Sequence, residues 1–260
     1  MILSDIEQRI KAKIEAIGTP LQDWDISINY GIKTGFNDAF IIDGKKRAEL
    51  IAQDPKSEEI IRPILRGRDI KKYGYEFADL YLINTHNGIK EKGIKCIDID
   101  DYPAVKAHLD TFYEQLEKRQ DKGDTPYNLR NCAYIEDFYK QKIVYSNMCS
   151  EPSFYLDENK FLTNQKCFIL IGEYLKFLTS FFNSKLFKYA FWNNFPVLGA
   201  KGRELSKIFM VEIPIIKPSK GVEEKISKLL DIKNYEEIDK LIYKLYNLSD
   251  EEINFIIEEQ

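Results

Sequence analysis

The chain has 260 residues, of which 44% are hydrophobic and 13% aromatic, so it can bury one large core or two modest ones. No run approaches roughly eighteen uncharged apolar residues, and the first residues are charged, which excludes a membrane span and a signal peptide and favours the cytoplasm. The formal net charge is −4, but residues 220–260 carry six lysines against eleven Asp and Glu, so residues 1–219 carry +1. The charge of the body therefore does not exclude a nucleic-acid partner.

Residues 1–20 are predicted to form one helix. Ser4 and Glu7 have the spacing of a capping box, and Gly18 and Pro20 end the pattern. One face carries an isoleucine stripe: Ile6, Ile10, Ile14 and Ile17. This stripe must pack on the body of the chain or on a domain absent from it.

Residues 24–218 mix strand and helix patterns, which predicts an α+β fold, rich in strands, with packing helices. The predicted strands are Ile26–Tyr30, Ala39–Asp43, Leu80–Asn84, Lys142–Ser146, Ser153–Leu156, Cys167–Ile171 and Ile208–Pro214. The predicted helices are Pro103–Arg119 and Glu173–Phe191, the second apolar around much of its circumference. Residues 219–260 then read as an acidic helical tail, which we expect to be dispensable for folding of the body.

The segment Gly31-Ile32-Lys33-Thr34-Gly35 is a cationic loop bracketed by two glycines, between two strand patterns. A tight hairpin is the simpler interpretation, because such loops are common turn chemistry. The alternative is a phosphate-contacting loop, because glycine permits close approach and Lys and Thr supply donors.

No enzyme motif is found. The sequence contains no P-loop, dinucleotide fingerprint, nucleophile elbow or zinc-protease motif. The run Glu136–Lys140 resembles part of a nuclease motif but lacks its upstream acidic partner. The four cysteines are widely spaced without a C-x-x-C, so we expect reduced, mostly buried thiols and no metal site.

Signals for nucleic-acid binding are stronger. Residues 64–73 place Arg66, Arg68, Lys71 and Lys72 beside a glycine and Tyr73, a cation density typical of phosphate contacts. Lys201 and Arg203 lie in a second cationic loop behind Asn193 and Asn194. Residue types that match base edges also follow or precede strands, at Asn147, Asn164, Gln165 and Lys166. A solvated helix end and ordinary turn chemistry remain the alternatives.

Several segments in order resemble the TaqI-like target-recognition domain of adenine-specific DNA methyltransferases and of fused restriction-modification enzymes of the Eco57I kind. The matching segments are Leu21–Ile26, Gly31–Ile42, Ile64–Lys71, Asp101–Lys106, Leu116–Arg119, Asn183–Phe187, Ile213–Ile215 and Ile238–Tyr246. In that family a catalytic half precedes this domain and carries the S-adenosylmethionine site and an Asn-Pro-Pro-aromatic motif. Here neither is found, and Asn194-Phe195-Pro196-Val197 is not that motif.

The resemblance implies three regions: a connector helix over 1–24, a recognition domain over 25–218 and the tail over 219–260. The connector would follow a catalytic domain, so Met1 would mark an internal start or a split gene, and the isoleucine stripe would face an absent partner. S-adenosylmethionine and magnesium would belong to the missing catalytic regions, with no cofactor in this chain.

We therefore predict a catalytically silent domain that recognises double-stranded DNA and works with a methyltransferase or endonuclease domain in the same or a separate chain, away from membranes. The predicted DNA-binding residues are Lys33, Thr34, Asn37, Arg66, Arg68, Lys71, Asn147, Asn164, Gln165, Lys166, Lys201 and Arg203. Two alternatives stay open: an unrecognised nuclease or methyltransferase site in this chain, and a protein-interaction subunit for a separate methyltransferase.

Overall fold

The computed structural model describes residues 3–198 and 202–259. Its helices are α1 (Asp5–Ile17), α2 (Asn37–Phe40), α3 (Gly44–Gln53), α4 (Pro103–Asp110), α5 (Tyr113–Lys118), α6 (Leu175–Phe182), α7 (Lys185–Phe191), α8 (Lys207–Met210), α9 (Lys220–Asp231), α10 (Tyr235–Leu245) and α11 (Asp250–Glu258). Short 3-10 helices lie at Leu21–Asp23, Pro55–Glu59, Gly67–Asp69, Lys90–Lys92, Ile99–Asp101, Ile135–Tyr139 and Trp192–Asn194.

The strands are short and form several small sheets. They are β1 (Thr19–Pro20), β2 (Ile26–Tyr30), β3 (Ile41–Asp43), β4 (Ile61–Leu65), β5 (Ile70–Lys71), β6 (Gly74–Tyr75), β7 (Leu80–Ile83), β8 (Lys142–Ser146), β9 (Met148–Cys149), β10 (Phe154–Asp157), β11 (Leu162–Thr163), β12 (Cys167–Gly172), β13 (Val197–Leu198), β14 (Gly202–Glu204) and β15 (Pro214–Ile215). The predicted mixed α+β class is confirmed.

A central antiparallel sheet with the order β10-β8-β12-β2 separates two hydrophobic cores. Alternate side chains of its strands point to opposite faces, as the pleat of a strand requires. Phe168 and Leu170 of β12 therefore enter the first core, whereas Cys167 and Ile169 enter the second. The middle of the sheet is thus buried on both faces.

The first core is closed by helices from both ends of the chain. It holds Ile10 and Ile14 of α1 together with Ile226, Ile238 and Ile256 of the C-terminal helices. The isoleucine stripe therefore does not face an absent partner at Ile10 and Ile14, which are 1% and 3% exposed. The first core also crosses both predicted domain boundaries, at residues 24 and 218.

The second core lies between the central sheet and a second sheet with the order β11-β4-β7-β3. Here β11 pairs with β4 in parallel, and the remaining pairs are antiparallel. Helices α2 to α5 cover this region, with Phe40, Val105 and Leu109 fully buried. Neither α3 nor β4 was predicted, because β4 contains Pro63 and α3 contains few apolar residues.

Both long predicted helices are interrupted. Residues 103–119 form α4 and α5, separated where Thr111 donates its hydroxyl to the His108 carbonyl (2.7 Å) and Phe112 packs on Phe36. Residues 173–191 form α6 and α7, separated where the Asn183 side chain bonds to the backbone of Phe154 on β10. In each case a tertiary contact ends the helix, although the apolar pattern continues.

Two predicted strands are corrected. The predicted strand 208–214 begins within α8, which ends at Met210, and strand pairing begins only at Pro214; Met210 is buried while Ile208 is exposed. Ala39 and Phe40 belong to α2, so that strand is limited to Ile41–Asp43. The four cysteines are free thiols, but Cys96 is exposed.

Candidate nucleic-acid interface

Several chain segments meet at one end of the strands of the central sheet, where β2 and β8 end and β12 begins. Strand β11 of the second sheet ends at the same place. Backbone hydrogen bonds join them: Gly31 N to Cys167 O (2.9 Å), Ile32 N to Thr163 O (2.7 Å), Asn164 N to Leu65 O (3.2 Å), Asn147 N to Lys166 O (2.8 Å) and Leu205 N to Asn147 O (2.9 Å). We call the segments 31–37, 66–71, 147–149, 164–166 and 202–204 the loop edge. Eleven of the twelve predicted DNA-binding residues belong to it, and Lys201 lies outside the described residues.

Two glycines let the loop edge assemble. A Cβ atom added at Gly31 would lie 1.9 Å from the Asn164 carbonyl oxygen, and one added at Gly67 would lie 2.5 Å from the Ser146 hydroxyl oxygen. Both distances are far inside van der Waals contact. Position 31 faces backbone and therefore requires glycine, whereas a side chain at position 67 would have to displace the Ser146 hydroxyl. The glycine at position 31 is thus explained without a ligand.

The segment 31–36 is not a hairpin. It carries the chain from β2 in the central sheet to α2 and then to β3 in the second sheet, and Ile32 forms a parallel bridge with Asn164. The Thr34 side chain is only 3% exposed, and its hydroxyl donates to Oδ1 of Asn37 (2.6 Å). The structure therefore contradicts a direct phosphate contact by Thr34, while Lys33 and Asn37 are exposed.

The buried side chain of Arg119 fastens this segment to the loop 120–131. Its guanidinium donates to the carbonyl oxygens of Thr34, Asp121 (3.0 Å), Pro126 (3.0 Å) and Asn128 (2.5 Å) and lies 4.5 Å from the ring centroid of Phe40. Burial lowers the pKa of Arg119 to about 10, so the group is still protonated at neutral pH. Arg119 was not among the predicted functional residues, because carbonyl partners leave no residue-type signal.

Two cations of this region share one carboxylate. Asp121 lies 2.8 Å from Nζ of Lys33 and 3.2 Å from Nη1 of Arg130. The hydrogen bond from Lys33, aided by Arg130, lowers the pKa of Asp121, so this carboxylate is ionised at neutral pH. The protein itself therefore partly neutralises the charges of Lys33 and Arg130. Arg130 was not among the predicted DNA-binding residues.

The two arginines of the segment 66–71 differ in whether a carboxylate of the protein pairs with them. Arg66 forms a two-pronged pair with Asp69, with distances of 3.0 and 2.8 Å, and this hydrogen bonding raises the pKa of Arg66. Arg68 is exposed, and its side chain has no hydrogen-bond or ion-pair partner within the described ranges. Lys71 pairs loosely with Glu76 at 3.3 Å.

The remaining predicted residues lie on the other segments of the loop edge. Asn164 accepts the backbone N–H of Lys166 (3.2 Å), which closes its own turn and leaves Gln165 and Lys166 exposed. Arg203 donates to the Phe195 carbonyl (3.0 Å) and to Oδ1 of Asn193 (2.9 Å), so its guanidinium is partly occupied. Loops distant in sequence therefore present cations and amides at one place.

The described residues offer no catalytic constellation at this edge. No group of three or more His, Cys, Asp and Glu side chains in residues 3–198 and 202–259 is placed to hold a metal ion. A groove of about 910 Å³ lies between α1 and α7 and is lined by helix-face residues such as Ile10, Ile14 and Phe191, without a glycine-rich turn. None of the helices in the described ranges has the length and apolar composition that crossing a bilayer requires.

Comparison with known proteins identifies the family. Residues 62–215, more than half of the chain, match the TaqI-like C-terminal specificity domain. The chain belongs to this family. The match includes the segments 66–71, 147–149, 164–166 and 202–204 of the loop edge, and it confirms the resemblance found in the sequence.

Two solved structures share the fold of this specificity domain. The type IIL restriction-modification enzyme MmeI, solved in complex with DNA, is 14% identical with a TM-score of 0.62, over 92% of this chain and 36% of that one. The type IIG restriction endonuclease BpuSI is 13% identical with a TM-score of 0.53, over 94% of this chain and 33% of that one. This chain therefore spans about a third of the length of each enzyme.

Proposed function

We propose that this chain is the DNA target-recognition domain of a larger restriction-modification enzyme and is catalytically silent by itself. Membership of a specificity-domain family supports the role, and the observation that carries it is the convergence of cations and amides at the loop edge. Phosphate contacts need cations, and base readout needs paired donors and acceptors. The loop edge offers both on segments held together by backbone hydrogen bonds.

Within this edge we assign positioning and reading to different side chains. Arg68, Lys71 and Lys166 are exposed cations suited to phosphates, which fix the register of a duplex but carry no sequence information. Asn147 and Gln165 are amides without side-chain partners among the described residues, and amides match the adenine edge in the major groove. Base choice should therefore follow the amides.

The catalytic half of the enzyme would lie in the same or a separate chain. We infer that the whole enzyme is an adenine-specific DNA methyltransferase, either alone or fused to an endonuclease, and that it acts on double-stranded DNA in the cytoplasm. We place S-adenosylmethionine and magnesium in that half, as the resemblance to the family implies. The length of MmeI and BpuSI relative to this chain is consistent with such an arrangement.

The test is a selection of duplexes of randomised sequence on the purified chain, followed by affinity measurements across a range of salt concentrations. We expect enrichment of a short motif but an affinity no tighter than about micromolar at physiological salt, because the body carries few uncompensated cations. Methyl transfer from S-adenosylmethionine, or plasmid cleavage with magnesium, by this chain alone would contradict the proposal. A chain that retains no duplex at low salt would leave a protein-interaction subunit as the better description.

A pair of neighbouring arginines sharpens the test. Replacing Arg68 with Ala should lower the salt dependence of affinity by about one charge on every sequence and leave the selected motif unchanged. Replacing Arg66 with Ala should instead destabilise the fold by about 1.5–3 kcal/mol in urea denaturation, because buried Asp69 loses a two-pronged charged partner. A change of motif in Arg68→Ala would show that Arg68 reads bases.

A further inference from the structure

Four aromatic rings form a continuous row across the central sheet. Tyr30 of β2, Phe168 of β12, Tyr145 of β8 and Phe154 of β10 are direct cross-strand neighbours. Their successive ring centroids lie 4.6, 5.4 and 5.1 Å apart. Phe154 then stacks on Phe182 of α6 at 4.8 Å, which anchors the row in the first core.

The row ends in solvent at Tyr30. Phe168, Tyr145 and Phe154 are buried, but Tyr30 is 57% exposed, because β2 is the edge strand of the sheet. Its ring packs against Phe168 on one side and is accessible on the other. A large apolar ring is thus held in place from behind and left uncovered at a sheet edge.

The position of Tyr30 connects this ring to the loop edge. Tyr30 is the last residue of β2 and directly precedes Gly31, whose backbone N–H bonds to the Cys167 carbonyl. Lys33 lies two residues after Gly31. The residue that carries the exposed ring is therefore directly followed by the segment 31–37 of the loop edge.

We propose that Tyr30 is a DNA-contacting residue whose exposed ring packs on a nucleobase that is unstacked from its neighbours in the bound DNA. Aromatic rings accept any base, because every base has a π-face, and a ring already fixed by its neighbours loses little conformational freedom on binding. The contact is apolar and releases no counterions, so it contributes affinity without salt dependence. This inference rests on the proposed function and adds to it a residue outside the cationic and amide set.

The experiment compares Tyr30→Ala with Tyr30→Phe in the full chain, by titration with the duplex that wild type selects, over several salt concentrations. Tyr30→Ala should bind roughly 5- to 150-fold more weakly with an unchanged salt slope. Tyr30→Phe, which keeps the ring, should bind close to wild type. The control is Tyr139→Ala: Tyr139 is 38% exposed but precedes the opposite end of β8, so its affinity should not change.

Tyr30→Leu keeps an apolar cover over Phe168 and replaces Tyr30→Ala if that variant fails to fold; it should show the same loss of affinity. Equal affinity of wild type and the folded alanine or leucine variant would overturn this inference and leave the proposed function intact. A change in salt slope instead of a uniform loss would also overturn it, because the effect would then act through phosphate contacts. Wild type that binds no DNA at low salt would overturn both.

Discussion

Individual cations at the loop edge differ in how far the protein already neutralises them. Arg66 is held by Asp69, and Lys33 shares Asp121 with Arg130. Arg68 and Lys166 have no such partner among the described residues. A cation held by a carboxylate must give up that partner before it can neutralise a phosphate, so density of basic residues overstates the charge available to DNA.

Replacing Asp121 with Asn should therefore strengthen binding to duplexes of any sequence and steepen the salt dependence by about one charge. The substitution removes the carboxylate that Lys33 and Arg130 share and leaves both side chains for phosphates. The measurement is a salt titration of affinity on selected and scrambled duplexes. The control is Glu237→Gln, which removes a similar exposed ion pair with Lys240 on α10. Equal slopes for both variants would show that Lys33 and Arg130 do not reach DNA.

At the scale of elements, the loop edge depends on cross-links between segments without regular pairing. Arg119 holds four carbonyl oxygens from two loops, which satisfies backbone groups that have no sheet or helix partner. Its planar guanidinium can reach several acceptors at once, whereas a lysine ammonium has three donors. Arg119 is thus a positioning residue for the segment that carries Lys33.

Replacing Arg119 with Met should lower the free energy of unfolding by at least about 2 kcal/mol, because buried carbonyl oxygens lose their donor. Urea denaturation measures this, and Arg119→Lys should recover part of the loss. Lys11→Met is the control: Lys11 pairs with Glu15 at 3.8 Å on the surface, and such exposed pairs contribute at most about 1 kcal/mol. Equal losses of unfolding free energy in Arg119→Met and in the control variant would contradict this positioning role.

At the scale of the whole molecule, the acidic tail completes the first core and caps two of its helices. Glu223 of α9 accepts the backbone N–H groups of Lys176 (3.2 Å) and Phe177 (2.9 Å), at the start of α6. Asp239 of α10 accepts the N–H of Lys185 (3.1 Å), at the start of α7. Acidic side chains at these positions also complement the helix dipole.

Deleting residues 220–260 should therefore abolish folding, in contrast to the expectation from composition. Ile226, Ile238, Ile242, Tyr246 and Ile256 are buried in the first core, and burial of each such side chain contributes about 1.5–3 kcal/mol, which together equals the stability of a typical domain. Circular dichroism and soluble yield measure the outcome. The matched comparison is Glu223→Gln with Asp239→Asn, which should lower stability but leave the chain folded. A truncated chain that is soluble and unfolds cooperatively would show that the tail is a separate folding unit.

The sequence by itself determined the local features that depend on neighbours along the chain. The capping box at Ser4 and the strands Ile26–Tyr30 and Lys142–Ser146 follow from short-range hydrogen bonds and apolar alternation, and the structure confirms them. The family could also be identified, because motifs kept their order. The sequence also predicted most of the basic and amide residues that the loop edge brings together, because these residue types contact DNA.

Only the tertiary structure decided which of these candidates lie together and which are free. The packing of Phe112 on Phe36, the bond of Asn183 to Phe154 and the contact of Arg119 with Thr34 join residues that are far apart in the sequence, so no local pattern could reveal them. Exposure of Tyr30 likewise depends on β2 being an edge strand, which is a property of sheet order. Local sequence sets hydrogen-bond and apolar preferences, whereas long-range packing decides which side chains remain available to a ligand.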